Sequence, residues 1–245
     1  MDEPPDVILL RSADAPDRYQ RAFAEAGVRA VCEPVLTFAF PNQQALADHL
    51  GRHDRYGALV ATSPRSATAL RRLFEEQADL AEAWQDTPAF AVGPKTARRL
   101  QEVGLQPRGE DAGDAEALAD RIVEAAPSTP LLFLCGNRRR ETLPDRLRAA
   151  DVSFEELIVY ETRTRQDLTL PPSRGASAET WLVFFSPSGL EAVQQADTTD
   201  LGTYRVAAIG PTTAGALEEA GYAVEAVARE PSPDALVTAL EDETG

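Results

Sequence analysis

The sequence predicts an α/β protein: two flavodoxin-like domains with parallel sheets, one inserted in the other and joined by a two-stranded linker. Short apolar runs alternate with helical patterns along the whole chain, which is typical of βα units. The fourteen residues 91–104 return at 208–221 with eight identities, where ordinary residue usage predicts about one by chance. The chain therefore contains two related modules.

The N-terminal segment predicts the first two strands of one module. Val7–Leu10 and residues 28–32 are apolar runs of strand length. Residues 16–26 between them predict a helix, because a proline stands near its first turn and a glycine directly follows it. A proline-bounded extended stretch, residues 34–41, comes next.

The middle of the chain has the same alternation of strands and helices, and it ends in a second extended stretch at 160–165. Apolar runs predict strands at Ala58–Ala61, 89–92, near Leu105, 131–135 and 154–159. Amphipathic patterns predict helices at 64–74, 94–103, Ala115–Ala125 and Thr142–Ala149.

Three further strands follow, at 181–185, 205–209 and 223–227, and each precedes a helix that begins near a proline. Together with the two N-terminal strands they make one five-stranded unit, and the middle of the chain makes another. The predicted boundaries are a discontinuous domain at 1–36 plus 166–245, an inserted domain at 40–160, and linkers near 35–40 and 159–165. The alternative, two consecutive domains split near residue 127, leaves orphan strands and is disfavoured.

The composition excludes several classes of partner. A formal net charge of −16 argues against duplex nucleic acid, whose binders present a basic surface. No apolar run approaches the roughly 18 residues of a membrane span, and no signal-peptide pattern opens the chain, so we expect a cytoplasmic protein without a membrane partner. The cysteines and histidines lie outside metal-motif spacings and no glycine-rich nucleotide loop occurs, which predicts no metal and no cofactor.

Duplicated helix starts are the candidate binding elements. Ser-Pro follows a predicted strand at 63–64 and again at 186–187, and Gly-Pro-x-Thr does so at 93–96 and 210–213. Helix N-termini at the carboxyl edge of a parallel sheet offer unpaired N–H groups to an anion. The alternative is that these pairs are simply good helix starts, but their duplication favours binding. The candidate hydroxyl residues are Thr62, Ser63, Thr96, Ser186, Ser188, Thr212 and Thr213.

Two arginines are further candidates. Arg11 and Arg138 each follow an apolar strand at what we expect to be corresponding places in the two modules, which supports a ligand role for both. Solvated arginines at a helix start are an equally good interpretation of Arg138. No phosphate loop, nucleophile motif or spaced carboxylate pair occurs, so an enzyme with this sequence would work by positioning and electrostatics.

An ordered set of segments resembles the uroporphyrinogen-III synthase family. Each motif is weak alone, whereas the order and spacing along the chain are specific. The segments are Thr-Ser-Pro-Arg-Ser-Ala (62–67), Val-Gly-Pro-Lys-Thr-Ala (92–97), Leu-Ile-Val-Tyr-Glu-Thr (157–162), Phe-Phe-Ser-Pro-Ser-Gly (184–189) and Ile-Gly-Pro-Thr-Thr-Ala (209–214).

The resemblance implies a fold and an activity. The fold is two α/β domains, the second inserted in the first, with an active-site cleft between them. The activity is that of a cofactor-independent hydro-lyase of tetrapyrrole biosynthesis. It closes hydroxymethylbilane, a linear tetrapyrrole with eight carboxylates, to uroporphyrinogen III with inversion of the last ring and loss of water.

The resemblance also implies roles for single residues. Tyr160 matches the family's tyrosine at the end of the linker and is expected to donate a proton to the departing hydroxyl. A buried structural tyrosine is the alternative. Thr213, Ser186, Ser63 and Thr96 match positions that hold the substrate's acetate and propionate groups.

Three functions therefore stay under consideration. The favoured one is the tetrapyrrole-cyclising lyase, acting as a monomer on a small-molecule substrate. A non-catalytic two-domain anion-binding protein is disfavoured by the absent signal peptide. A nucleotide-sugar transferase is disfavoured by the lack of a donor site.

Overall fold

The chain divides into two compact units. Met1–Thr37 with Arg163–Gly245 form the discontinuous unit, and Phe38–Thr162 form the inserted unit. The structure is a computed structural model that describes residues 3–13, 15–125, 127–174, 180–196 and 201–243.

Strands and helices alternate through the described residues. In chain order the strands are β1 (Val7–Leu10), β2 (Ala30–Cys32), β3 (Leu36–Ala39), β4 (Ala58–Ala61), β5 (Pro88–Ala91), β6 (Gln106–Arg108), β7 (Leu131–Gly136), β8 (Phe154–Thr164), β9 (Trp181–Phe184), β10 (Arg205–Ala208) and β11 (Ala226–Val227). The α-helices are α1 (Arg18–Glu25), α2 (Gln43–Leu50), α3 (Pro64–Glu76), α4 (Ala78–Trp84), α5 (Gly93–Gln101), α6 (Ala115–Ala125), α7 (Thr142–Ala149), α8 (Pro187–Gln195), α9 (Pro211–Glu219) and α10 (Pro233–Asp242).

The described residues of the discontinuous unit form a five-stranded sheet in the order β2-β1-β9-β10-β11. All four neighbouring pairs are parallel. Numbered along this unit alone, the order is 2-1-3-4-5, which is the flavodoxin arrangement. The predicted α/β fold class with parallel sheets is confirmed.

The inserted unit has a sheet in the order β8-β7-β4-β5-β6, with β3 as a sixth strand beside β8. The four pairs among the first five strands are parallel. Numbered along the chain, these five strands run 5-4-1-2-3, so their connections differ from the flavodoxin order. In space, however, β8, β7, β4, β5 and β6 take the places of strands 2, 1, 3, 4 and 5 of the flavodoxin order. The chain of this unit begins at the third place instead of the first, so the inserted unit is a circular permutation of the other.

The pairing register shows that the permuted strands are equivalent. Phe184 lies opposite Leu10 and Ala208, and Ala61 lies opposite Leu134 and Ala91. Both Ala61 and Phe184 stand two residues before a Ser-Pro pair, and both Ala91 and Ala208 stand two residues before a Gly-Pro pair. The two sheets therefore match strand for strand and residue for residue.

Each sheet is covered on both faces, which explains why its strands are continuous apolar runs. In β9, Trp181 and Val183 pack into one core of the discontinuous unit, whereas Leu182 and Phe184 pack into the other. In the inserted unit, Leu59 and Val60 divide in the same way between two cores. Each such side chain contributes about 1.5–3 kcal/mol through burial.

The helix starts follow the predicted chemistry, with small shifts at the ends of elements. Ser63, Ser186 and Ser232 are the N-cap residues of α3, α8 and α10, and a proline occupies the first turn of each. α1 begins later than predicted because Asp17 caps it, accepting the N–H groups of Tyr19 and Gln20 at 3.0 Å. The predicted strands at 28–32 and 223–227 shorten to β2 and β11.

Candidate functional site

Two helix N-termini lie side by side in the inserted unit. β4 and β5 are neighbours and parallel, so α3 and α5, which follow them, begin at the same edge of the sheet. Ser63 caps α3, with its hydroxyl oxygen accepting the Arg65 N–H at 3.3 Å. Thr96 lies in the first turn of α5 and is 3% exposed. Thr62, directly after β4, is half-buried.

The discontinuous unit repeats this arrangement with α8 and α9, which follow the neighbouring strands β9 and β10. Thr213 is 5% exposed in the first turn of α9. Ser186 is the N-cap residue of α8, but its side chain makes no capping hydrogen bond. Ser188 is half-buried and Thr212 is exposed. The structure thus places the seven predicted hydroxyl residues at four helix starts, two in each unit.

Arg11 is held by other parts of the discontinuous unit. Its guanidinium donates to the Asp17 carboxylate at 2.5 Å, and the Asp17 side chain is 2% exposed. The guanidinium also lies over the rings of Tyr19 and Phe185, at 5.0 and 5.4 Å from their centroids. A buried ion pair and two cation–π contacts therefore fix its position.

Arg138 occupies a different place, and the predicted correspondence with Arg11 is wrong. Because Leu10 and Leu134 are equivalent in the two sheets, Arg11 is equivalent to Cys135, three residues before Arg138. Arg138 is exposed, and within the described part of the chain it makes no hydrogen bond or ion pair. The sequence match failed because the loops after β1 and β7 have no common motif.

Tyr160 lies on β8 and its ring packs directly on β7. A Cβ atom added to Gly136 would lie 2.4 Å from the ring Cζ and 2.7 Å from the hydroxyl oxygen. The register of β7 and β8 shifts at this point, and Gly136 pairs with Tyr160. The phenol makes no hydrogen bond to any residue that the structure describes. Gly136 was not among the predicted residues, although a glycine ending an apolar strand is a signal of close backbone approach.

Both cysteines, Cys32 and Cys135, are free thiols. Burial raises the pKa of Cys135 to about 11, and burial together with the Asp17 carboxylate raises the pKa of Cys32 to about 11. Neither thiol is ionised near pH 7, so neither is a nucleophile there. Across the described ranges, no three His, Cys, Asp or Glu side chains come together as a metal-binding group, and no helix has the length and apolarity to cross a bilayer.

Helix N-termini paired at the carboxyl edge of a parallel sheet are the architecture of α/β proteins that bind small anions. The family model described as Uroporphyrinogen-III synthase HemD matches residues 17–238. The chain belongs to the uroporphyrinogen-III synthase family, which confirms the resemblance inferred from the motifs.

Individual relatives are similar over nearly the whole chain. The uroporphyrinogen-III synthase of Schizosaccharomyces pombe is 30% identical over 246 residues, covering 96% of this chain and 95% of the relative. That of Saccharomyces cerevisiae is 32% identical over 264 residues, with the same two coverages of 96% and 95%. The crystal structure of uroporphyrinogen-III synthetase from Helicobacter pylori 26695 aligns with a TM-score of 0.61 at 20% identity, covering 96% of this chain and 98% of that chain. The structural match supports the α/β fold.

Proposed function

We propose that this protein is a lyase of tetrapyrrole biosynthesis that closes hydroxymethylbilane to uroporphyrinogen III with inversion of ring D and loss of water. The observation that carries the proposal is the family match over residues 17–238. The duplicated helix starts support it, because a substrate with eight carboxylates needs many anion-binding groups and the four N-termini supply N–H groups and hydroxyls for them.

The chemistry fits a protein that works by positioning. Loss of the ring A hydroxyl gives an azafulvene, the substituted carbon of ring D attacks it, and the resulting spiro compound fragments and closes again. The sum is the loss of one water with no change of oxidation state, so the reaction needs no electron donor or acceptor. The enzyme's part is to hold ring D so that one carbon attacks, which is an entropic contribution.

We assign the proton transfer to Tyr160. Hydroxide is a poor leaving group, and a phenol within reach can protonate the ring A hydroxyl as it departs, so that water leaves. The Tyr160 phenol has no hydrogen-bond partner among the described residues, and the missing side chain at position 136 leaves room for its ring. The hydroxyl of a buried structural tyrosine usually has a partner within the fold.

We assign the substrate carboxylates to the helix starts and the two arginines. The hydroxyl groups can donate to carboxylate oxygens beside the free N–H groups of the first turns. Arg138 is exposed and can turn toward an anion, whereas the Arg11 guanidinium is already fixed by Asp17, which reduces the entropy lost on binding. The hydroxyl residues are Thr62, Ser63, Thr96, Ser186, Ser188, Thr212 and Thr213.

We further propose that the two units are domains joined by a two-stranded linker, with boundaries at 1–36 plus 166–245, 40–160, and linkers near 35–40 and 159–165. The division at Thr37/Phe38 and Thr162/Arg163 supports this, as does the pairing of β3 with β8. The Arg165 N–H also donates to the Val35 carbonyl at 2.9 Å. We also propose a cytoplasmic monomer that binds neither nucleic acid nor membranes, and the net charge of −16 supports the lack of binding to these anionic partners.

A coupled assay tests the proposed activity against the alternative of a non-catalytic anion-binding protein. Hydroxymethylbilane is generated in situ and the product isomers are separated after oxidation. We expect the type III isomer to form faster than spontaneous closure gives type I. Type I alone, at the rate measured without the protein, would overturn the proposal.

A further inference from the structure

The inserted unit contains a cavity of about 500 Å³ between α3 and α5 whose walls are basic. Two cations come from α3 and two from α5, and Glu102 is the acidic residue of the lining. In a chain with a net charge of −16, this is a local concentration of positive charge. The four basic residues are Arg65, Arg71, Lys95 and Arg99.

Helix geometry explains why these side chains face one cavity. Lys95 and Arg99 are four residues apart on α5 and therefore share a face. Pro64 and Lys95, from the first turns of α3 and α5, both line the cavity. The cavity therefore reaches the sheet edge at which both helices begin. Lys95 is also the single lysine of the sequence.

Arg65 is held in place by an aromatic ring. Its guanidinium lies 3.6 Å from the centroid of the Phe38 ring, which is also part of the lining. Burial lowers the pKa of Arg65, and Tyr160 opposes that shift. Within the described residues its side chain has no carboxylate partner. A guanidinium stacked on a ring keeps its N–H edge for a carboxylate.

The other two arginines are held only weakly by the protein. Arg99 pairs with Glu102 at 2.7 Å and Arg71 with Glu75 at 3.9 Å, and all four side chains are at least 44% exposed. Exposed pairs of this kind are worth roughly 0–1 kcal/mol, so a ligand carboxylate can replace them at small cost.

We infer that this basic groove binds one pyrrole ring of the substrate through its acetate and propionate groups, with Arg65, Arg71, Lys95 and Arg99 as the cationic partners. The inference rests on the proposed function and adds a substrate subsite along the flanks of α3 and α5, beyond the hydroxyl groups at the helix starts. The cavity volume is within the range of small-molecule sites, and its concave shape fits part of a small polyanion.

A steady-state experiment tests the inference. The double variant Arg71→Gln/Lys95→Gln removes two exposed cations of the groove, and Arg72→Gln/Arg98→Gln removes one exposed cation from each of the same helices outside it. We expect the first variant to raise KM for hydroxymethylbilane about tenfold at low ionic strength, since each lost charge-assisted contact weakens binding. The control should stay within about twofold of the parent protein. An unchanged KM in the groove variant would overturn the inference, whereas a parent protein that makes no type III isomer would overturn the proposed function instead.

A chemical experiment does not depend on turnover. Lys95 is acylated with an amine-selective reagent, and its modification rate is followed by peptide mass spectrometry with and without uroporphyrin III, a stable octacarboxylate. We expect protection of at least fivefold that sodium chloride of equal ionic strength does not reproduce. An equal rate with and without the porphyrin would contradict the inference.

Discussion

The two units of this protein each contain a parallel sheet with the same spatial order of strands, but the helix starts that follow those strands differ. Both have the flavodoxin order in space, and equivalent strands pair in the same register. At the first duplicated helix start, the Ser63 hydroxyl caps its own helix, whereas the Ser186 hydroxyl does not. At the second, Gly93 has a φ of +74° and Gly210 a φ of 173°. Duplication therefore preserved the position of the binding elements, while their local geometry diverged.

The two units also differ in the chemical groups that we assign to the reaction. The inserted unit has Tyr160, the Gly136 that makes room for it, and the basic groove. The discontinuous unit has Ser186, whose side chain makes no capping hydrogen bond to α8, and the buried Thr213. We assign both hydroxyls to substrate binding. Matched substitutions at equivalent positions can test whether this division of roles is correct.

The largest effect is expected at Gly136. Gly136→Ala puts a methyl group within 2.4–2.7 Å of the Tyr160 ring, so the ring must move. Overpacking of this kind costs about 1–3 kcal/mol of stability, and we expect kcat to fall more than about 100-fold because the proton donor is displaced. The matched control is Ser12→Ala at the equivalent, exposed position of the discontinuous unit, which should change stability by less than about 0.5 kcal/mol. Urea unfolding gives the stability of each variant and steady-state kinetics gives its kcat. Equal effects of Gly136→Ala and Ser12→Ala would show that the tight contact between Gly136 and Tyr160 is absent.

Tyr160→Phe is the next largest change. It keeps the ring on Gly136 and removes only the hydroxyl, so we expect kcat to fall about 100-fold with KM and stability nearly unchanged. Tyr222→Phe, at a half-buried tyrosine of the discontinuous unit, is the control and should keep full activity. Full turnover in the Tyr160 variant would remove its role as proton donor.

The duplicated threonines should have unequal effects. Thr213→Val and Thr96→Val each remove a buried hydroxyl and keep most of the side-chain shape. We expect KM to rise roughly tenfold for Thr213→Val, because a hydrogen bond to a charged group contributes about 1.5–3 kcal/mol. For Thr96→Val we expect less than about a threefold rise, because the cations of the adjacent groove still hold other carboxylates of the substrate in the inserted unit. Equal KM values in the two variants would contradict the division of roles.

The smallest effect concerns the backbone of the duplicated glycines. Gly93→Ala forces a Cβ into the left-handed region and should cost about 1–2 kcal/mol of stability. At Gly210 the backbone is extended, and no atom of the described residues lies within 4 Å of an added Cβ, so Gly210→Ala should cost roughly 0.5 kcal/mol or less. Thermal or urea unfolding gives both values, and the reverse order would show that the two helix starts do not differ as described.

Much of the fold could be predicted from sequence because its causes are local. Continuous apolar runs such as Val7–Leu10 and Ala58–Ala61 indicate strands buried on both faces, and Ser-Pro or Gly-Pro marks the helix starts that follow. The ordered motifs also identified the family. The circular permutation, by contrast, depends on which strands pair, and pairing joins residues far apart in the chain.

The site was predictable to the same extent. Hydroxyl residues in the first turns follow from the helix-start motifs, so the sequence by itself determined where Ser63, Thr96, Ser186 and Thr213 lie. Only the tertiary structure decided that Arg11 bonds to Asp17, that Tyr160 packs on Gly136, and that four cations from α3 and α5 line one groove. The physical reason is that capping and strand formation are local properties of the chain, whereas ion pairs, close ring contacts and grooves arise when separate elements pack together.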